Sequence, residues 1–201
     1  ETTSFVSPKW VPQLAEAAEL LDLLGPTPDG LRMPVLVPNE KGLDRALAAG
    51  VKEIAVFGSA TETFAQKNLN RSVVESFEMF RPVIDRARAE GLQVRGYLSM
   101  CFGDPWEGSV APEVVAGHAR TLFDLGITEL SLGDTIGVAT PNQVTALLAS
   151  LAQQGIGVDT LAVHFHDTYG QALSNTLTAL QHGITVVDAS AGGLGGCPYA
   201  K

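Results

Sequence analysis

The sequence predicts an α/β fold of the (β/α)8 barrel type, incomplete in the present chain. Two observations carry this. A helical pattern closes on a glycine and an apolar strand-like run follows within a few residues, and this repeats along the chain. The runs are apolar enough to be parallel strands covered by helices on their outer face. A doubly wound open sheet is the alternative, but no G-x-G-x-x-G follows the first run, which weakens its dinucleotide-binding form.

Glu1–Val6 and Pro34–Asn39 are the first two strand-like runs. Between them Val11–Leu24 is predicted helical, with Pro12 near its start and Leu14, Ala17, Leu21 and Leu24 on one face. Gly50 precedes the strand Glu53–Phe57. Ser72 and Glu75 then form an S-x-x-E capping box, and Val73, Phe77, Phe80, Ile84 and Ala87 recur at helical intervals. Pro82 inside this pattern predicts a kink or a restart. Gly91 leads to Gln93–Leu98. Pro112 sits in the first turn of the next helix, and Gly126 leads to Glu129–Leu132. Thr140 caps a helix with Pro141 in its first turn, and Gly155 and Gly157 lead to Leu161–His164. Gln171–Gln181 is the last helix, and Gly183 leads to Thr185–Asp188. A complete barrel has eight strands and about 250 residues. The 201 residues are therefore read as one barrel domain, 1–201, lacking its first strand and its C-terminal helix region.

Composition limits the function. Apolar residues are 45% and charged residues 17%, which supports a real core and excludes a disordered tail. Lys plus Arg is 13 against 22 Asp plus Glu, a net charge of −9. Such a chain does not neutralise nucleic-acid phosphates or adhere to an anionic membrane. No apolar run reaches the ~18 residues that span a bilayer, and no targeting segment is visible. Cys101 and Cys197 are too few for a disulfide framework, so a reducing compartment fits.

Barrel enzymes carry their chemistry at the C-terminal ends of the strands. The sequence puts a polar ring there: Glu1 and Ser4, Asn39, Ser59, Ser99 and Cys101, Ser131 and Asp134, His164 and His166, Asp188 and Ser190. His164 and His166 are two apart in a strand, so both face the barrel axis while Val163 and Phe165 face the helices. Two imidazoles aimed at one point share a metal, a carboxylate or a proton, or each is satisfied separately by backbone or water. Asp134 joins the face of Ser131 only if the strand bends at Gly133; otherwise it caps the segment that follows. Cys197 lies on the glycine-rich loop Gly192–Pro198, as a thiol brought in by loop closure or as a bystander. Cys101 is expected in the core. Asn68, Asn70 and Ser72 are read as a loop after the third strand, either a pocket wall or ordinary turn chemistry. Trp10 and Trp106 are expected to pack or to anchor loops.

Four stretches converge on one family: ETTSFVSPKWVPQ at 1–13, SLGDTIGVATP at 131–141, HFHDTYGQALSNT at 164–176 and GLGGCPYA at 193–200. The chain resembles the 3-hydroxy-3-methylglutaryl-CoA lyase family, within the metal-dependent aldolase-type TIM barrels that also hold isopropylmalate and homocitrate synthases. The H-x-H-D core marks the larger group; SFVSPKW and GLGGCPYA mark the lyases. The resemblance implies a divalent metal, Mg2+ or Mn2+, held by Asp, His, His and Asn. His164 and His166 match the two histidines, and the Asp and Asn fall outside this chain. Glu1 and Asp134 match supporting acidic residues, Asp134 with a catalytic part, and Cys197 matches the catalytic cysteine. Phe165 stands where a cysteine is expected. Ser4, Asn68, Ser72, Ser131 and Thr135 are the expected substrate contacts. The implied reaction is retro-Claisen cleavage of 3-hydroxy-3-methylglutaryl-CoA to acetyl-CoA and acetoacetate, with His164 as the expected base, acting beside or on the metal. The expected partner is a small acyl-CoA, the expected assembly a homodimer, and the expected place a bacterial cytoplasm or a mitochondrial matrix. A condensing enzyme that adds acetyl-CoA to a 2-oxo acid, and a barrel that only binds CoA or a partner, are the competing readings.

Overall fold

The computed structural model describes residues 1–194 and 196. Seven strands form one parallel sheet: β1 (Thr3–Ser4), β2 (Val35–Leu36), β3 (Glu53–Ser59), β4 (Gln93–Ser99), β7 (Glu129–Asp134), β8 (Leu161–Phe165) and β9 (Val186–Asp188). Their spatial order follows the chain without reversal, apart from a small antiparallel hairpin, β5 (Gly103–Asp104) and β6 (Gly108–Ser109), that stands outside the sheet. A doubly wound sheet reverses its strand order at a switch point; this one does not. The sheet curls, because residues of β2 at one side and β9 at the other line the same cavity. The architecture is a partial (β/α)8 barrel, as the sequence predicts.

The helices are α1 (Ala17–Leu24), α2 (Glu40–Ala48), α3 (Glu62–Leu69), α4 (Val73–Ala89), α5 (Pro112–Leu125), α6 (Pro141–Gln153) and α7 (Ala172–Gln181). The core lies between them and the outer face of the sheet, where Ile54, Val94, Leu130, Leu132 and Val163 meet Phe80, Ile84, Ala119, Leu147 and Leu151.

Four expectations change. The first helix is broken: a 3-10 turn at Pro12–Leu14 precedes α1, which starts only at Ala17. α4 runs through Pro82 without a break, because Phe80, Val83 and Ile84 are fully buried and hold the backbone that proline leaves one hydrogen bond short. Asn68 is not in a loop but in α3, and only Asn70 and Arg71 separate that helix from the cap of α4. Trp10 anchors nothing; it is 85% exposed. Trp106 is partly exposed, with the Lys67 ammonium 4.7 Å from the centre of its ring.

Candidate active site

Strand register builds the site. In a parallel sheet, registered residues share a face. Arg95 pairs with Glu129, Tyr97 with Ser131, and Gly133, His164 and Asp188 form one row across β7, β8 and β9. Glu129, Ser131 and Gly133 alternate with Leu130, Leu132 and Asp134. The first three look into the barrel and the leucines face the helices.

At the C-terminal end of the strands these residues enclose a cavity of about 660 Å3. Its wall includes Glu1, Tyr97, Ser131, His164, His166 and Asp188. The two imidazoles stack with ring centres 5.1 Å apart, so the i, i+2 spacing does bring them together. Val163 is buried on the opposite face, and Phe165 packs against Phe102 at 5.9 Å. A larger open cleft of about 1410 Å3 lies near the N-terminal ends, lined by the 25–33 loop, Arg32, Glu53 and Glu129. Among the described residues its wall holds no imidazole or thiol, and barrel enzymes work at the other end.

Behind the cavity runs a row of charges. Arg32 pairs with Glu53 and, at 2.7 Å, with Glu129. Arg95 donates from Nε to Glu129 at 2.5 Å, from Nη1 to the Tyr97 hydroxyl at 2.9 Å and from Nη2 to Asp188 Oδ1 at 2.8 Å. Ser131 donates to Asp188 Oδ2 at 2.7 Å, and His164 Nδ1 lies 3.6 Å from that same oxygen. Burial would raise the Asp188 carboxyl, but the donors His164, Arg95 and Ser131 outweigh it and hold it well below the usual carboxylate range. Burial, with the charges of Glu1 and Asp188, pushes the Tyr97 phenol up to about 12 against the pull of Arg95. It is a neutral donor, not a base. Burial and then the neighbouring His164 lower His166 from the ordinary histidine value, so its neutral form, with a free lone pair, is favoured.

The other expected residues sit as follows. Of the two readings of Asp134, the strand takes the one without a bend at Gly133: β7 runs unbroken through it, in register with His164. Asp134 is therefore outside the cavity wall, and its carboxylate accepts the Val138 and Ala139 amides, both at 3.0 Å. It caps the following loop. Ser4 accepts the Val6 amide and is not part of the wall. Ser72 caps α4 in a complete capping box with Glu75. Asn68 is on α3, away from the wall. Thr135 is in the wall and its hydroxyl accepts the amide of Met100, which has a left-handed φ of 61°. Glu1 and Ser131 are in the wall. Cys197 lies outside the described residues. Cys101 is buried, donates to the Leu98 carbonyl, and its thiol is pushed up to about 12 by burial, so it takes no part. Arg95 and Tyr97 were not singled out from sequence, and Asp188 was only one of many strand ends. The signal was there: Arg95 and Tyr97 alternate with Val94, Gly96 and Leu98, the period-2 mark of a polar inner face.

Whether a metal fits can be judged from the donors. His164 and His166 supply two adjacent imidazoles at a cavity with nearby carboxylates, which suits a divalent ion. Among the described residues no group of three or more His, Cys, Asp or Glu is arranged to complete a coordination shell.

Comparison with known proteins gives consistent results. The family model described as HMGL-like matches residues 24–198. The chain is 53% identical over its whole length to the mitochondrial hydroxymethylglutaryl-CoA lyase of Bos taurus, of which it covers 61%. It is 53% identical to the cytoplasmic 3-hydroxy-3-methylglutaryl-CoA lyase of Rattus norvegicus, covering 58%. The crystal structure of the HMG-CoA lyase from Brucella melitensis superposes with a TM-score of 0.93 at 50% identity, over all of this chain and 70% of that one. The chain thus spans about three fifths of the length of the curated relatives it matches.

Proposed function

The chain belongs to the HMGL-like family, and from that premise we propose that the full-length protein cleaves 3-hydroxy-3-methylglutaryl-CoA to acetyl-CoA and acetoacetate in a metal-dependent retro-Claisen reaction. The observation that carries the reading is the pair of stacked imidazoles, His164 and His166, at the carboxyl-end cavity of the partial barrel. In this reading the 201 residues are the larger part of a single barrel domain.

His164 and His166 would hold a divalent metal, Mg2+ or Mn2+, through nitrogen lone pairs. Bound there, the metal would supply Lewis-acid polarisation of the substrate oxygens. A lone pair that holds a metal cannot also accept a proton, so His164 acts as a ligand and not as the base expected from sequence. His166 stays neutral and ready as a donor. Tyr97, Ser131 and Thr135 line the space for the substrate, with Glu1 at its edge. Asp134 shapes the site indirectly, by fixing the loop that carries Thr135. Cys197 would return a proton to the enolate product. The substrate is a small acyl-CoA. No described helix is long and apolar enough to cross a membrane. A homodimer is the proposed assembly, in a bacterial cytoplasm or a mitochondrial matrix.

The test is a coupled acetoacetate assay on purified full-length protein, with Mn2+ or Mg2+ and with EDTA. Equimolar acetyl-CoA and acetoacetate with metal, and none with EDTA, is the expected result. Consumption of acetyl-CoA with a 2-oxo acid, and no cleavage, would replace the lyase by a condensing enzyme.

A further inference from the structure

Asp188 is held more tightly than a carboxylate at the end of a three-residue edge strand needs to be. Oδ1 takes Arg95 Nη2 at 2.8 Å and Oδ2 takes Ser131 Oγ at 2.7 Å. Arg95 cannot swing away, because Nε is bound to Glu129 and Nη1 to Tyr97, and Glu129 is itself held by Arg32. A row of partly buried ion pairs centred on a buried arginine is a poor way to gain stability, since apolar side chains of similar size do as well or better. What such a row does well is hold one carboxylate oxygen at a fixed point. That point is 3.6 Å from His164 Nδ1, a few tenths of an ångström beyond an ordinary N–H···O bond and closed by a small rotation of the ring. His164 Nε2 has no protein partner among the described residues.

We propose that Asp188, pinned by Arg95 and Ser131, is a positioning residue that keeps the proton of neutral His164 on Nδ1 and so presents the Nε2 lone pair to the cavity. A carboxylate accepts and never donates, so it selects the N–H tautomer at the nitrogen it faces. A neutral imidazole carries one N–H, which leaves the other nitrogen bare. Its orientation is set as well, because β8 and β9 place His164 and Asp188 in register. Carboxylates that orient metal-binding histidines are a general device. Here the inference rests on the reading of His164 as a ligand, but its first test needs no metal.

The experiment uses metal-free full-length protein labelled with 15N at histidine, at a pH where His164 is neutral. Long-range 1H–15N correlation separates the two tautomers. Wild type is expected as the Nδ1–H form. Asp188→Asn, which can turn an amide N–H toward the ring, is expected to shift His164 toward the Nε2–H form. It should also weaken Mn2+ binding in a calorimetric titration by about 10- to 100-fold. Ser131→Ala keeps the Arg95 ion pair and frees only Oδ2. It should shift the tautomer in the same direction by less, and it keeps the question open to test if Asp188→Asn does not fold. A wild-type Nε2–H tautomer, or an unchanged tautomer in both folded variants, overturns the proposal. Wild type that shows the Nδ1–H form but neither binds Mn2+ nor cleaves substrate would instead overturn the proposed function and leave the positioning role standing.

Discussion

Single residues here are defined by what surrounds them. Cys101 and Cys197 are equivalent as letters. The structure buries Cys101 beneath the end of β4, bonded to a carbonyl and with its thiol pushed up to about 12. Near pH 8 almost none of it is thiolate, and reagent cannot reach it. Pulsed alkylation of native protein followed by mass spectrometry should therefore leave Cys101 unlabelled, with full labelling only after denaturant. Rapid native labelling of Cys101 would contradict the buried position. Asp134 makes the same point from another side. Its motif resembles a catalytic carboxylate, yet its oxygens are taken by two loop amides. Nothing in SLGDT tells which use wins until the strand is known to run straight through Gly133.

At the scale of elements, caps and close approaches decide stability. Ser72 satisfies the Glu75 amide, and the Glu75 carboxylate returns to the Ser72 amide. Ser72→Ala should lower stability by about 0.5–2 kcal/mol in urea unfolding. Substrate KM should stay within about twofold, since the hydroxyl is engaged at the helix start; a large rise in KM would restore Ser72 as a substrate contact. Where β3 meets α4, Gly58 leaves no room. A Cβ there would lie 2.7 Å from Phe77 Cε1, and Phe77 is buried edge-on against His118 at 5.7 Å. Gly58→Ala should destabilise by about 1–3 kcal/mol through overpacking, read as a shift of the urea midpoint at constant m. No shift would show that α4 slides freely on the sheet.

At the scale of the whole molecule, the charge row joins the N-terminal and C-terminal halves of the barrel interior. Arg95→Met leaves Asp188 half-buried without its cation, while Glu129 keeps Arg32, and should lower stability by about 1–3 kcal/mol. Equilibrium unfolding at neutral pH measures it; a change under 1 kcal/mol would mean that water replaces the guanidinium. The row also shapes acid stability. The folded Asp188 carboxyl lies below its unfolded value of about 3.9. The folded state thus binds fewer protons than the unfolded state as pH falls through that value. The contribution is fully present above about pH 4 and fades below it, toward the folded value. Unfolding free energy between pH 6 and 3 should fall less steeply in Asp188→Asn than in wild type, and equal slopes would refute the assignment.

Much of this protein was legible in its residues because local rules govern them. Glycines after helices, prolines in first turns, the Ser72–Glu75 box and seven apolar runs specify parallel βαβ units through nearest-neighbour geometry alone. The spacing of His164 and His166 places both rings on one face for the same reason, since strand period is local. Folding alone decided what depends on residues far apart in the chain. Asp188 reaches Arg95 across 93 positions and Ser131 across 57, and no periodicity couples such distances. Sheet register and curl set those partners. They bring a strand-end aspartate to 3.6 Å from a histidine, while the aspartate that the motif pointed to, Asp134, accepts two loop amides.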